Sequence, residues 1–396
     1  MTETSPAPPR VGWLEGLRGL AAMQVVLLHY VSAFFPAMIS TYPLHEFWWQ
    51  SILTAPLAFL YDGSAAVYLF FIMSGAALTQ AFSPQPFALA AVVTRGLIRL
   101  GLPMAAATLL AAALYALWPD AHVVAAGQTD SLWLNDIGPR EVAMASIIHQ
   151  IVIEGLLTGF DGLSLFPPKV AHMMGLVERE HAFDTPRWTL HIEFVGSLLI
   201  LLLVAVRAWA SRAAYRATCA VLCFGFALSP LSLFVVGHLA ASHLRPGDGR
   251  KKRVRLGMMG LGMACLTAGI LLCTMPVIRP IWDLWSLLPP SLRRAGHQST
   301  LQMTIGAVLV FGGLVLLPIL QRQLQRPTMR RLGTISFSLY LIHFPILFTG
   351  VAACFTFLNS TLPYGAAVAA VSVGALPSAS RWRRRSSAGS IDPRSS

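Results

Sequence analysis

Long apolar windows recur along the chain, separated by short polar stretches. Each window is close to the roughly 20 residues that an α-helix needs to cross a bilayer, and most carry almost no charge. There is no internal repeat. The pattern predicts an all-α fold, a polytopic membrane helical bundle of about 9–10 transmembrane helices. We expect the spans at about residues 19–38, 55–80, 100–118, 188–206, 217–240, 256–278, 301–320, 333–358 and, as the weakest, 362–376.

Two apolar stretches do not fit a simple span. The stretch 217–240 lies between two basic segments, and Ser229-Pro230 stands at its middle, where proline breaks helices. It is therefore predicted to form two short half-spans joined as a hairpin. The stretch 143–160 contains His149 and Glu154 and is predicted to lie in the interface or to re-enter the membrane.

The two ends of the chain differ from the apolar body. Residues 1–12 are rich in proline and polar residues and are predicted to form a disordered leader. Residues 13–376 are predicted to form one transmembrane domain. Residues 377–396 are a basic, low-complexity tail.

Composition supports a membrane protein and argues against nucleic acid as a partner. Hydrophobic residues make up 55% of the chain and charged residues 12%, about half the usual fraction in soluble domains. The net charge is +12, but the basic residues stand in short loops beside apolar spans, where they determine topology. The five cysteines lie in apolar stretches without zinc-ligand spacing, and no metal site is expected.

The distribution of basic residues predicts the orientation. The loop 39–54 has no lysine or arginine, whereas the segments 207–216, 245–255 and 321–331 are basic. The segment 119–187 has more acidic than basic residues. The N-terminus is therefore expected in the cytoplasm and 119–187 on the opposite side, in a membrane that the sequence does not identify.

The first predicted span carries Arg18 and His29. Eleven residues are about three helical turns, so the two side chains share a face within roughly 20° and differ in height by about 16 Å. Arg18 alone could be an interfacial anchor, and His29 alone could bond to a neighbouring helix. Ionisable groups inside a bilayer are costly and usually functional, so the pair favours a shared site facing the bundle interior.

Three later segments also place polar groups in apolar helices. Arg95 and Arg99 are four residues apart on one helix face. They could determine the membrane topology or bind phosphate groups. His191 and Glu193 are two residues apart, so at most one of them faces a given pocket. A third segment has a polar stripe that suits either helix packing or a site; it consists of Ser336, Tyr340 and His343.

Taken in order, these segments resemble the acyltransferase 3 family, and the fungal members most closely. The resemblance rests on Arg18-x10-His29, then FFIMSG, Arg95 and Arg99 with Pro103, WTLHIEF, FVVGHLAA and ISFSLYLIHFP, and runs from about residue 13 to 345. Members are polytopic membrane enzymes that acylate sugars and other small compounds. The segment after Pro363 departs from the family, in which a last pair of spans would be expected.

The resemblance implies an acyltransferase that transfers groups other than aminoacyl groups. The donor would be acyl-CoA, most simply acetyl-CoA, and the acceptor a hydroxyl or amino group of a carbohydrate or small metabolite. His29, Arg18 and Glu193 are the expected catalytic residues, with His29 as general base, oriented by Glu193 if packing brings the helices together. Arg18, Arg95 and Arg99 are expected to hold the CoA phosphates. The residues expected to bind substrate are Trp188, Ser336, Tyr340 and His343.

Two alternatives remain open from the residues alone. Histidine, glutamate and arginine inside a membrane would serve a small-solute transporter equally well, although transporters often contain internal repeats. The unusual C-terminal segment also permits an inactive acyltransferase-like membrane protein.

Overall fold

A computed structural model of the chain describes residues 11–40, 57–82, 89–160, 168–242, 244, 256–275, 277–289 and 297–375. Within these ranges every regular element is a helix, and there is no strand. Most of the predicted leader and the whole predicted basic tail lie outside the described residues. The predicted all-α class is confirmed.

The helices are numbered here in chain order. They are α1 (Gly12–Phe34), α2 (Pro36–Ser40), α3 (Gly63–Phe82), α4 (Leu89–Leu117), α5 (Ala121–Thr129), α6 (Leu132–Asp136), α7 (Met144–His149), α8 (Pro168–Met173), α9 (Trp188–Trp209), α10 (Arg212–Gly225), α11 (Leu231–Ala241), α12 (Leu256–Thr274), α13 (Arg279–Ser286), α14 (His297–Leu316), α15 (Pro318–Leu324), α16 (Pro327–Ile346), α17 (Ala352–Asn359) and α18 (Tyr364–Ala375). A π-helix, Gln150–Thr158, continues α7, and a π-helical turn, Leu347–Val351, joins α16 to α17.

Seven helical segments in the described part are long and apolar enough to cross a membrane, which confirms the polytopic bundle. They are Gly12–Phe34, Gly63–Phe82, Gly96–Leu117, Thr185–Trp209, Gly257–Thr274, Gln298–Leu316 and Pro327–Asn359. Three further apolar helices are shorter, namely Met144–Thr158, Leu231–Ala241 and Tyr364–Val373. The predicted span at 362–376 is one of these short helices.

The stretch 217–240 is divided as its proline predicts. Helix α10 ends at Gly225, a turn follows, and α11 begins directly after Pro230. The two short helices pack against each other. A proline at the start of a helix loses no hydrogen bond, because the first N–H groups have no intrahelical partner.

Small residues allow the helices around the central part of the bundle to approach closely. Gly19 of α1 faces Gly333 of α16, and a Cβ on Gly19 would stand 2.6 Å from the Gly333 nitrogen. Gly237 of α11 similarly meets the backbone of α3 at Ile72. Helix α1 therefore packs directly on α16 and on α3, and α9 packs on α3.

Candidate functional site

A cavity of about 360 Å³ lies where α1, α3, α4, α9 and α16 meet. Its wall is mostly apolar and contains a few polar side chains, the usual character of a small-molecule site. Its apolar lining includes Val67, Phe70, Phe71, Leu100, Leu190 and Phe337. Its polar lining is Arg18, Ser74, Arg99, Thr189, Glu193, Ser336 and Tyr340.

Opposite charges meet in this cavity. Arg18 comes from α1, Arg99 from α4 and Glu193 from α9. Both arginines interact favourably with the Glu193 carboxyl group, and Arg18 Nη2 also donates to the Gly333 carbonyl oxygen at 3.1 Å. Since both arginine side chains are exposed, a charged ligand can reach them from outside the bundle.

Tyr340 stands in the cavity wall in a fixed orientation. Its hydroxyl donates to the Pro186 carbonyl oxygen at 2.7 Å and lies 2.8 Å from Thr189 Oγ1. Thr189 Oγ1 also lies 3.1 Å from the same carbonyl oxygen. One turn earlier on α16, Ser336 Oγ donates to the Gly333 carbonyl at 2.8 Å. The hydroxyl groups on this wall are thus held by backbone acceptors.

Two histidines form a pair behind Tyr340. His29 Nδ1 lies 2.8 Å from His343 Nε2, and the two ring planes are nearly parallel, with centroids 5.0 Å apart. Trp133 of α6 stacks on His29 with a centroid distance of 5.5 Å. The Tyr340 and His343 ring centroids are 6.0 Å apart. From the cavity, the Tyr340 ring therefore comes first, the His343 ring second and the His29 ring third.

A buried ion pair supports the turn that receives the Tyr340 hydroxyl. Arg187 and Asp184 are both fully buried, with Nε and Oδ2 3.6 Å apart. Arg187 Nη2 also donates to Gln150 Oε1 at 2.9 Å, and Nη1 donates to Thr108 Oγ1. Burial raises the pKa of Asp184 to about 7, and the Arg187 guanidinium opposes this shift. The guanidinium therefore ties the short turn Thr185–Arg187 to α4 and to the π-helix.

The structure brings most of the predicted site residues together. Arg18, Arg99, Glu193, Ser336 and Tyr340 line one cavity. His29 and His343 form a pair beside it, and the side chain of Arg95 lies outside the described part.

Two expectations differ from the geometry. Trp188 is half-buried and packs its ring against Phe71, 6.4 Å away, rather than lining the cavity. His29 Nδ1 is bonded to His343, whereas Glu193 faces the arginines. The expectation that Glu193 orients His29 fails because Arg18 and His29 lie at different heights on α1, and α9 brings Glu193 to the level of Arg18.

Two residues at the site carried no assigned role in the sequence. Ser74 of α3 lines the cavity, and its position beside Gly75 at the end of an apolar run was the only indication. Trp133 stands on a five-residue helix in the segment 119–187. Nothing in the sequence around Trp133 indicates that its ring lies over His29.

Comparison with known proteins identifies the kind of enzyme. A family model described as an acyltransferase domain matches residues 11–378. The chain belongs to the acyltransferase 3 family. It is also similar to the O-acetyltransferase PaAT-1 of Phomopsis amygdali, with 28% identity over 394 residues that cover 85% of this chain and 72% of that protein. No solved structure matches it.

Membership of the acyltransferase 3 family confirms the expected class. The protein is a multi-pass membrane enzyme that transfers acyl groups other than aminoacyl groups. The described residues contain no group of three or more histidine, cysteine, aspartate or glutamate side chains placed to hold a metal ion.

Proposed function

We propose that the protein transfers an acetyl group from acetyl-CoA to a hydroxyl group of a carbohydrate or other small metabolite. The observation that carries this proposal is the cavity in which two arginines face a glutamate, close to a pair of histidines. The O-acetyltransferase named among the relatives supports acetyl as the acyl group and oxygen as its acceptor.

The proposed donor site is the end of the cavity that holds Arg18 and Arg99. CoA carries several phosphate charges, and guanidinium groups bind phosphate through paired hydrogen bonds. Glu193 offsets only part of the charge of the two arginines, so this end of the cavity keeps an excess of positive charge for an anion. An incoming phosphate would compete with Glu193 for the arginines and leave its carboxyl group free to orient the donor. Arg95 would add to this site from the same helix.

The apolar middle of the cavity suits the thin pantetheine arm and the acyl group. Phe70, Phe71 and Leu190 line it, and Tyr340 stands where the cavity approaches the histidine pair. Arg18 and His29 are about 16 Å apart along α1. A long arm is therefore needed to bring a thioester held at one end towards a base near the other.

His29 is the proposed general base. The acceptor oxygen attacks the thioester carbonyl carbon, and the acceptor proton passes to Nε2 of His29. The carbon–sulfur bond then breaks, and the same proton passes from Nε2 to the departing CoA thiolate. The half-buried position of His29 near Trp133 suits an acceptor that enters from the side of the segment 119–187. That side is non-cytoplasmic in the proposed orientation, with the N-terminus in the cytoplasm.

Calorimetric titration of the purified protein with a non-hydrolysable acetyl-CoA analogue tests the donor site. Arg18→Gln should weaken binding by about tenfold or more, since it removes a charged hydrogen-bond donor from the cavity. Arg322→Gln is the matched control, because Arg322 is also exposed near the same helix ends but does not line the cavity. If Arg18→Gln binds the analogue as tightly as Arg322→Gln and the native protein do, Arg18 does not belong to the donor site.

A further inference from the structure

The pair formed by His29 and His343 has a defined proton arrangement. His343 Nδ1 lies 3.0 Å from the Leu339 carbonyl oxygen and 2.9 Å from the Tyr340 carbonyl oxygen. Both neighbours belong to the preceding turn of α16. Because a carbonyl oxygen can only accept, His343 Nδ1 must carry a proton to form these hydrogen bonds.

The proton on His343 Nδ1 determines the state of His29. In a neutral imidazole only one nitrogen is protonated, so His343 Nε2 is then an acceptor. The 2.8 Å contact between His343 Nε2 and His29 Nδ1 therefore requires a proton on His29 Nδ1. The remaining nitrogen, His29 Nε2, keeps its lone pair, which a general base needs.

We infer that His343 is a positioning residue that holds His29 in the tautomer with a free Nε2. This inference rests on the proposed function of His29 and replaces the expected substrate-binding role of His343. When His29 accepts the acceptor proton and becomes positively charged, His343 Nε2 still accepts the hydrogen bond from Nδ1. The role parallels that of the aspartate in a serine-protease triad, with a neutral acceptor in place of a carboxylate.

Neighbouring aromatic rings restrict the two imidazole rings to this arrangement. Trp133 lies nearly parallel to His29 at 15°, and Phe344 meets it edge-on at 82°. The His29 and His343 rings are within 8° of parallel. A ring flip of His29 would have to disturb these contacts and break the hydrogen bond between the two histidines.

Three substitutions at His343 separate an acceptor role from packing. His343→Gln can place its amide oxygen near the position of Nε2 and keep an acceptor for His29. The shorter His343→Asn cannot reach that position, and His343→Leu has no acceptor. With acetyl-CoA as donor and water as acceptor, CoA thiol release should fall at least about 100-fold in kcat for the Leu and Asn variants, on the scale of a lost orienting group. We expect His343→Gln to stay within about tenfold of the native protein, and KM for acetyl-CoA to stay within about threefold in all three variants.

His122→Leu is the matched control, because His122 is also a buried imidazole packed near Phe348 but makes no contact with His29. It should keep native kcat. If the Leu, Asn and Gln variants lose activity equally, or if His343→Leu keeps native kcat, the positioning role is wrong.

A nitrogen spectrum of the protein labelled with ¹⁵N-histidine tests the tautomer without relying on activity. The His29 signals are those that disappear in His29→Ala. The native spectrum should show a protonated Nδ1 and an unprotonated Nε2 for His29, and His343→Leu should change this. A protonated Nε2 on His29 in the native protein would overturn the inference, even if acetyl transfer is confirmed. Absence of CoA release with the expected tautomer present would instead contradict the proposed function and leave the hydrogen-bonded arrangement standing.

Discussion

Replacement of Arg187 by methionine should destabilise the protein strongly, although Arg187 does not line the cavity. The side chain is fully buried, pairs with Asp184 and donates to Gln150 and Thr108. Methionine keeps much of the volume but removes the charge and the donors. The lost contacts leave Asp184 buried without a partner, since neither of its carboxylate oxygens has a hydrogen-bond donor other than this ion pair.

The size of the effect follows from Asp184. In the Arg187→Met variant, Asp184 must remain charged without a partner or take up a proton. The pKa of Asp184 is already about 7 in the native protein, against an ordinary value of 3.8. Because of that raised pKa, the native protein already bears most of the cost of protonating Asp184 at pH 7, and removal of the Arg187 guanidinium raises the pKa further. Above pH 7, where the native carboxyl group is charged beside Arg187, the loss should approach the roughly 3–5 kcal/mol expected when one partner of a buried ion pair is removed.

The loss of stability in Arg187→Met should depend on pH. A carboxyl group with a raised pKa in the folded state stabilises that state fully below the unfolded pKa, and this contribution is lost as pH rises towards the folded pKa. The native protein and the variant should lose this contribution in parallel up to about pH 7, and the deficit of the variant should grow above pH 7, where only the native Asp184 ionises beside Arg187. The double variant Arg187→Met with Asp184→Leu should recover much of the stability, because no charge is left buried.

Equilibrium unfolding in mixed detergent, followed by tryptophan fluorescence, measures these differences. The two variants and the native protein should be compared at about pH 6 and about pH 8.5, below and above the native pKa of Asp184. A loss below about 1 kcal/mol in Arg187→Met at about pH 8.5, or a double variant no more stable there than the single one, would refute the reasoning about a buried, compensated charge.

Three further predictions concern the site and its orientation. Arg99→Lys keeps the charge but loses the planar fork, so affinity for a non-hydrolysable acetyl-CoA analogue should fall about tenfold in calorimetry; unchanged affinity would make Arg99 a topology determinant only. Gly333→Val places a side chain against the α1 backbone, so it should lower both CoA release and the unfolding midpoint, whereas Gly312→Val, where a Cβ meets nothing within 4 Å, should do neither. A cysteine at Asp136, with the native cysteines replaced, should react with an impermeant maleimide in intact cells; labelling only after permeabilisation would reverse the proposed orientation.

Much of the helical architecture could be predicted because each span carries its own signal. About 20 apolar residues with few charges suffice to indicate a span, and Pro230 alone divides α10 from α11. The stretch 143–160 could be distinguished from an ordinary span because it contains His149 and Glu154. These features depend on composition within one window and not on neighbouring helices.

Part of the site was also visible from the sequence. Arg18, Glu193 and Tyr340 are polar groups in otherwise apolar helices, and such groups usually face the bundle interior. The structure places all three on one cavity. The partner of each residue could not be predicted, because His29 and His343 are 314 positions apart and only helix packing brings them together. Close approach of Gly19 to Gly333 provides that packing.

The central claim, acyl transfer from acetyl-CoA with His29 as base, is tested most directly by radiolabelled acetyl-CoA and purified protein in detergent. The native protein should release CoA and form acetate or an acetylated acceptor, with a further increase when a hydroxylated acceptor is supplied. His29→Ala should fold, bind the donor analogue with native affinity and lose at least about 100-fold in rate. Equal CoA release by the native protein and His29→Ala would contradict His29 as base. No release by the native protein, combined with solute uptake into proteoliposomes, would contradict acetyl transfer itself.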